Sequence, residues 1–498
     1  MIALLSLDDR PCNVRFPQQI AEIGGDKIVV PPHHLLGRFN SAGEPEALID
    51  WLFALPEVKG LILSVDMLAY GGLVASRRTD ATLETALKRV SMLREWKKTR
   101  GVPILAFNIL RRLAITMDGD ANVDNYYNIM RWARLEDEAE RFNSDHLRQQ
   151  RDEVRRKIDP QLLQDYVDSR ARNHKINGCM IDFLADDIFD YLLITQEDAT
   201  EWGLHRQEQE ALLAYAGERG VETKMSLHPG ADEAALTLLA RNWDTGVTFS
   251  VHPSNAADMQ RIAPFEDRPY ERALREHIAA MSGIWLEHGE DGIPDFHLFV
   301  NAPVGGSQKD EKPEARDERL RKLQPFIKEL LQACAASEGG GVPVALCDVA
   351  FPNGADNALL NELEKRQALG QLTVFGGWNT AGNTTGTVLA QCAALKRSGD
   401  SARARHLSRQ FTFERIVDDW YYQSQIREKI EKAARENGVS PLRMESAAAA
   451  PIEALARREL RAFSNLLAHR HFATTLGGTD VTLPWGRTFE ADVRVKLI

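Results

Sequence analysis

The feature that most constrains the fold is a series of short apolar runs, each closed by a polar or Gly/Pro cluster and followed by a helical pattern. The apolar character within each run is continuous rather than alternating, which is typical of strands buried on both faces of a parallel sheet. Alternation of such strands with helices favours the α/β class. The runs are Ile2–Leu7, Lys27–Val30, Gly60–Val65, Val102–Phe107, Tyr191–Thr195, Thr223–Leu227, Val247–Val251, Phe296–Val300, Val342–Cys347 and Leu372–Phe375.

The spacing of these runs leaves two architectures open. Doubly wound, Rossmann-like sheets and a (β/α) barrel both alternate buried parallel strands with covering helices. Charged helical stretches interrupt the pattern and predict helical insertions. The predicted parts are 1–120 as an N-terminal α/β part, 121–188 as a helical insertion, 189–400 as a second α/β part and 401–498 as a helical C-terminal region with a closing strand or arm.

The composition argues against several classes of partner. The 498 residues carry a formal net charge of −11, so neither a nucleic acid nor a membrane surface is an expected partner. Five scattered cysteines without a CxxC pair are typical of reduced thiols in the cytoplasm. We find no signal-peptide pattern and no apolar run near the roughly 18 residues of a membrane-spanning helix. We therefore expect a cytoplasmic protein.

Polar side chains follow nearly every predicted strand. Ligands of parallel α/β proteins bind at the carboxyl ends of strands, so these side chains predict a site for a polar ligand. Asp, Asn and Gly are also ordinary turn residues, but their recurrence at so many strand ends favours a site. The residues that we expect to bind the substrate are Asp8, Arg10, Tyr70, Arg77, Gln196, Asp198, His228, Asn301, Asp348, Trp378, Asn379 and Asn383.

Carboxylates dominate these strand ends and favour glycoside hydrolysis. That reaction needs two carboxyl groups, one as the acid and one as the nucleophile or base. The sequence offers Asp8, Asp9, Asp66, Glu197, Asp198, Asp232, Glu233 and Asp348. Among them we expect Asp9 or Asp66 to act with Asp232 or Glu233. An aromatic side chain such as Trp378 would stack on the apolar face of a sugar ring.

Structural and metal-binding roles compete with this interpretation. Asp232, Asp356 and Asn383 each precede a helical pattern, where a side chain can cap the helix. His228 and His252 precede prolines, and as imidazoles on neighbouring strands they would join a carboxylate in a metal site. No compact metal-ligand spacing, phosphate loop or dinucleotide fingerprint occurs. We therefore expect no cofactor, with a divalent metal as the alternative.

Four longer strings carry a resemblance that covers nearly the whole chain. They are LDDRP at 7–11, SVDMLAYGGL at 64–73, HPGADE at 228–233 and GWNTAGN at 377–383. With these strings the chain resembles an uncharacterised bacterial family, a domain of unknown function. The resemblance implies an association with sugar uptake and glycoside breakdown, and it implies no particular mechanism.

Together these features predict a carbohydrate-active hydrolase. We expect a glycosidase that uses two strand-end carboxylates on a small polar substrate, a sugar or a glycoside. One alternative is a metal-dependent hydrolase or lyase that uses His228, His252 and carboxylates. The other is a sugar-binding protein without catalytic activity.

Overall fold

A computed structural model describes residues 1–116, 123–287, 292–399, 401–444 and 447–498. Within them the chain forms two compact units, each containing one parallel sheet. The four-part division predicted from composition stays a prediction. The first unit contains Met1–Gln18, Asp26–Asn242 and Phe265–Asp267, and the second contains Gln19–Gly25, Trp243–Pro264 and Arg268–Ile498.

The first unit is built on a six-stranded parallel sheet. Its strands are β1 (Ile2–Leu5), β2 (Ile28–Val29), β3 (Leu61–Ser64), β4 (Ile104–Leu110), β5 (Tyr191–Gln196) and β6 (Met225–Pro229). They lie in the order β2-β1-β3-β4-β5-β6, and every pairing is parallel. Most of these strands are fully buried, as expected for a sheet that is covered on both faces.

The second unit contains a five-stranded parallel sheet and a separate antiparallel hairpin. The sheet strands are β7 (Thr248–Pro253), β8 (Ile284–Leu286), β9 (Phe296–Asn301), β10 (Val344–Asp348) and β11 (Val374–Gly376), and the hairpin strands are β12 (Leu476–Thr482) and β13 (Asp492–Leu497). The sheet order is β11-β10-β9-β7-β8. The first strand of this sheet therefore lies between its second and third strands, as it does in the first sheet.

Helices surround both sheets. They are α1 (Pro11–Ile23), α2 (Pro45–Ala54), α3 (Val65–Tyr70), α4 (Leu83–Arg100), α5 (Val123–Arg141), α6 (Asp145–Arg155), α7 (Pro160–Ala185), α8 (Leu204–Arg219), α9 (Ala234–Trp243), α10 (Tyr270–Ala280), α11 (Pro313–Glu338), α12 (Asn357–Lys365), α13 (Ala381–Arg397), α14 (Ala402–Arg415), α15 (Arg427–Glu436) and α16 (Ala450–His471). A π-helical segment, Ile416–Ile426, joins α14 to α15. Across the described ranges, no helix combines the length and the apolar character that crossing a membrane requires.

The architecture confirms the α/β class and excludes the barrel. Among the described residues, the outer strands of each sheet pair on one side only, so both sheets are open and Rossmann-like. Each predicted apolar run overlaps a strand. The sequence missed β8, a short edge strand whose Ile284 is half exposed. A helical insertion is also present, because α5 to α7 lie between β4 and β5 and pack around their own apolar cluster.

Candidate functional site

The strand order of the first sheet creates a crevice at the carboxyl ends of β1 and β3. β2 pairs with one side of β1 and β3 pairs with the other, so the direction in which successive strands are added to the sheet reverses at β1. Ligands of open α/β sheets bind at such a reversal. Asp8 lies just after β1, and Asp66 lies in the first turn of α3, directly after β3. The two carboxylates therefore occupy the position where the topology places a ligand site.

Asp8 belongs to a buried ion network centred on Arg10. Its carboxylate accepts hydrogen bonds from Arg10 Nη2 at 2.7 Å and from Asn13 Nδ2 at 2.8 Å. The other edge of the same guanidinium donates from Nη1 to Asp232 Oδ2 at 3.0 Å. Each of these charged side chains is at most 6% exposed. Arg10 thus holds two predicted site carboxylates in fixed positions with charge-assisted hydrogen bonds, an arrangement that stabilises the local structure.

Asp66 is a buried carboxyl group with a strongly altered proton affinity. Its Oδ2 accepts a hydrogen bond from the backbone N–H of Ile109 at 2.9 Å, and only 3% of the residue is exposed. Burial raises the pKa of Asp66 to about 7 against the opposing effect of that N–H, and the charge of Glu197 adds to the increase. The carboxyl group therefore exchanges its proton near neutral pH.

Glu197, which follows β5, contrasts with Asp66. Its Oε1 forms a buried ion pair with Arg77 Nη2, and Arg77 Nη1 donates to Thr116 Oγ1 at 2.7 Å. Burial and the charge of Arg112 lower the pKa of Arg77 to about 10, so the guanidinium is still charged at neutral pH. The other oxygen of Glu197, Oε2, is buried and has no hydrogen-bond partner among the described residues. Glu197 is thus an anchored carboxylate with one oxygen unused.

Two further arginines follow β4. Arg112 Nη1 donates to Asp198 Oδ2 at 2.9 Å. Arg111 contacts Ser169 Oγ, and its guanidinium lies 4.7 Å from the ring centre of Tyr166. Burial lowers the pKa of Arg111 to about 9. The positive charges of this edge are therefore matched by neighbouring acids and rings rather than gathered into an open anion-binding patch.

Several predicted binding residues make contacts that position other parts of the chain. Gln196 donates from Nε2 to backbone carbonyl groups near the ends of β4 and β5 at 3.3 and 2.8 Å. The phenol ring of Tyr70 lies 4.3 Å from the guanidinium of Arg172, and burial raises the pKa of this tyrosine. Asp9 Oδ2 lies 3.6 Å from His33 Nδ1. Gln196 and Tyr70 thus contact other parts of the chain from buried positions, whereas Asp9 lies near an exposed histidine.

His228, Gly230 and Glu233 form a compact turn after β6. His228 Nδ1 lies 2.9 Å from the carbonyl oxygen of Pro229, and Glu233 Oε2 accepts a hydrogen bond from the N–H of Ala231 at 2.9 Å. The turn needs a glycine, because Gly230 has φ of +119° and any Cβ there would collide with the Glu233 carboxylate. Both His228 and Glu233 are fully buried.

The predicted residues of the second unit include a separate cluster after β9 and β10. Asn301 Nδ2 donates to Asp348 Oδ1 at 3.0 Å and to Asp356 Oδ2 at 3.2 Å, and Arg319 pairs with Asp356. Burial and the charge of Asp356 raise the pKa of Asp348 to about 7. Asp356 also caps α12 by accepting from the N–H of Ala358 at 2.8 Å, as predicted.

The GWNTAGN string forms the turn into α13. Thr380, not Asn383, caps this helix, because its side chain accepts a hydrogen bond from the N–H of Asn383. The capping role predicted for Asn383 is therefore wrong. Trp378 donates from Nε1 to Thr387 Oγ1 at 3.2 Å, and Asn379 adopts a left-handed conformation with φ of +50°. Asparagine tolerates that conformation better than most residues.

The two histidines predicted to share a metal lie in different sheets. His228 is on β6, at the edge of the first sheet, whereas His252 is on β7, which pairs with β8 and β9. Their predicted placement on neighbouring strands is therefore wrong. The imidazole that contacts His252 is His297 on β9.

The structure places the predicted residues in two groups. Asp8, Asp9, Arg10, Asp66, Tyr70, Arg77, Gln196, Asp198, His228, Asp232 and Glu233 belong to the first unit, and Asn301, Asp348, Trp378, Asn379 and Asn383 belong to the second. A single pocket that includes both groups stays a prediction.

Sequence reasoning omitted two residues from the predicted site. Asn13 donates hydrogen bonds from Nδ2 to both Asp8 and Asp232, and its position in the first turn of α1 was the only available signal. Glu197 was among the acids considered, but its pairing with Arg77 joins residues that are 120 positions apart.

Comparison with known proteins identifies the family of the chain. The searches of curated proteins and of solved structures gave no match. The family model described as "Protein of unknown function (DUF4127)" matches residues 2–494, and the chain therefore belongs to that family, in agreement with the resemblance found in its sequence.

Proposed function

We propose that the carboxyl edge of the six-stranded sheet is the active site of a carbohydrate-active hydrolase. One observation carries the proposal, namely two buried carboxyl groups at this edge with different surroundings. Burial raises the pKa of Asp66 to about 7, whereas Glu197 forms an ion pair with Arg77 through Oε1 and keeps Oε2 without a hydrogen-bond partner among the described residues. Hydrolases use two carboxyl groups in different surroundings as the acid and as the base or nucleophile.

In the proposed reaction, Asp66 is the general acid. Its protonated carboxyl group donates a proton to the oxygen of the departing group, which makes that group easier to expel. Glu197 supplies the second carboxylate. Its uncontacted Oε2 is the oxygen that attacks the anomeric carbon or removes a proton from the attacking water. This pairing retains Asp66 from the sequence-based choice and replaces its partner with Glu197.

The substrate that we propose is a small sugar or glycoside. Amides and paired charged groups on the same edge, such as Asn108, Arg112 and Asp198, offer donors and acceptors for hydroxyl groups. A cytoplasmic location is also part of the proposal and is supported by the five cysteines, all of which are free thiols.

The direct test is hydrolysis of a panel of 4-nitrophenyl glycosides by the full-length protein and its variants. On the substrate that is turned over, Asp66→Asn and Glu197→Gln are each expected to lower kcat about 10²–10⁴-fold, the usual contribution of a positioned acid or base. Wild-type activity should also fall as the pH rises above about 7, because the acid then loses its proton.

Glu218→Gln is the matched control, since Glu218 is an exposed acid on α8 of the same unit. It should keep wild-type activity. Full activity in both Asp66→Asn and Glu197→Gln would overturn the assignment of these two residues. Absence of turnover across the panel, together with saturable sugar binding, would instead favour the sugar-binding alternative.

A further inference from the structure

Two imidazoles meet on one face of the second sheet. Ser250 on β7 pairs in register with His297 on β9, so the side chains of His252 and His297 lie on neighbouring strands and point to the same face. His252 Nε2 lies 3.1 Å from His297 Nδ1. The hydroxyl oxygen of Ser250 also lies 3.1 Å from His252 Nε2.

The orientation of His252 is fixed from the other side of its ring. Its Nδ1 lies 2.7 Å from Glu329 Oε1 on α11, and the ring stacks on Phe299 with centres 4.7 Å apart. A carboxylate beside Nδ1 holds the proton on that nitrogen, so Nε2 presents its lone pair. A carboxylate that orients a histidine in this way is the usual outer partner of a metal-bound imidazole.

We propose that His252 Nε2 and His297 Nδ1 bind one divalent transition-metal ion, such as Zn²⁺, and that Glu329 orients His252. Metal–nitrogen bonds of about 2.0–2.1 Å at angles of about 90–110° place two ligand nitrogens about 2.8–3.4 Å apart. The observed separation of 3.1 Å lies inside that range. Coordination turns both lone pairs toward one point, and the proton of His297 then resides on Nε2.

The surroundings leave room for further ligands. A cavity of about 550 Å³ is lined by Ser250, His252, Glu271, Arg275 and Glu329, among others. Its volume is typical of a small-molecule site. Ser250 offers an oxygen ligand, Glu329 contributes negative charge, and Glu271 is paired with Arg275 at 3.1 Å. Water or a small ligand could therefore complete the coordination sphere from the cavity, as in metal sites with open positions.

This metal site goes beyond the proposed hydrolase. It lies in the second unit and uses neither Asp66 nor Glu197. It also replaces the His228–His252 pair of the sequence-based alternative with a pair that is in contact. Failure of one proposal would leave the other unaffected.

The test is metal titration of the full-length protein after removal of metals with a chelator. Isothermal titration with Zn²⁺ should show that wild type binds one equivalent more than His252→Ala or His297→Ala. Glu329→Gln should lower the zinc affinity of this site about 10–100-fold, the usual loss of metal affinity when an outer carboxylate is removed. Co²⁺ should give visible absorption in wild type that His297→Ala lacks.

His406→Ala is the control, because His406 is an exposed histidine of the second unit outside this cluster. It should bind zinc as wild type does. Thermal unfolding with and without Zn²⁺ separates loss of binding from loss of folding, since a folded His297→Ala variant should melt cooperatively but lack the zinc-dependent rise in Tm. Equal zinc stoichiometry and affinity in wild type and His297→Ala would overturn the proposal.

Discussion

Replacement of Arg10 by methionine should lower the free energy of unfolding by about 3–5 kcal/mol, the range for removing one partner of a buried ion pair. The guanidinium of Arg10 is the shared partner of Asp8 and Asp232, and all three side chains are at most 6% exposed. Methionine keeps much of the side-chain volume but leaves two carboxylates buried without their cation. Chemical denaturation of Arg10→Met and wild type at neutral pH measures the difference.

Two variants isolate the cause of that loss. Arg94→Met removes a pair of similar length, Arg94–Asp186 at 2.7 Å, whose side chains are 46% and 43% exposed. It should cost at most about 1 kcal/mol, because water screens exposed charges. The triple variant Asp8→Asn, Arg10→Met, Asp232→Asn should recover part of the stability, because it removes both carboxylates together with the guanidinium that they share. A loss below about 1 kcal/mol in Arg10→Met would contradict a stabilising role for this buried ion network.

Asp66→Asn should stabilise the protein at alkaline pH by about 4 kcal/mol while leaving its stability near pH 4 almost unchanged. The pKa of Asp66 rises from 3.8 to about 7 on folding, and each pKa unit corresponds to about 1.36 kcal/mol. Between these values the folded state binds more protons than the unfolded state. The contribution of Asp66 to stability is therefore fully present below about pH 4 and is lost as the pH rises from there through about 7.

Asparagine removes this titration and keeps an oxygen that can accept the Ile109 N–H. The measurement is the difference between wild type and Asp66→Asn in the free energy of unfolding across pH 4–8. Glu218→Gln, which changes an exposed acid of the same unit, is the matched control. A flat difference for Asp66→Asn would mean that Asp66 is ionised throughout, and it would remove the proposed general acid.

Much of the fold could be read from local patterns. The runs that became β4 and β5 are continuously apolar, and such residues are stable only where both faces of a strand are covered. The short edge strand β8 escaped detection because Ile284 is half exposed and the strand spans three residues. Its position depends on pairing with β7 rather than on its own composition.

The candidate site was only partly predictable. The position of Asp66 after a buried strand identified it as a site residue, because the carboxyl ends of parallel strands line ligand crevices. Its proton affinity depends on burial and on the N–H of Ile109, which is 43 positions away. Glu197 could not be separated from the other acids, because the arginine that anchors it comes from a different strand end.

The sequence by itself determined the α/β class, the buried strands, the polar character of their carboxyl ends and the family, since each depends on neighbouring residues or on contiguous motifs. Only the tertiary structure decided that the sheets are open, that Arg10 joins Asp8 to Asp232 across 222 positions, and that His252 meets His297 rather than His228. Strand order and long-range ion pairs depend on which distant segments pack together, and spacing along the chain does not specify that choice.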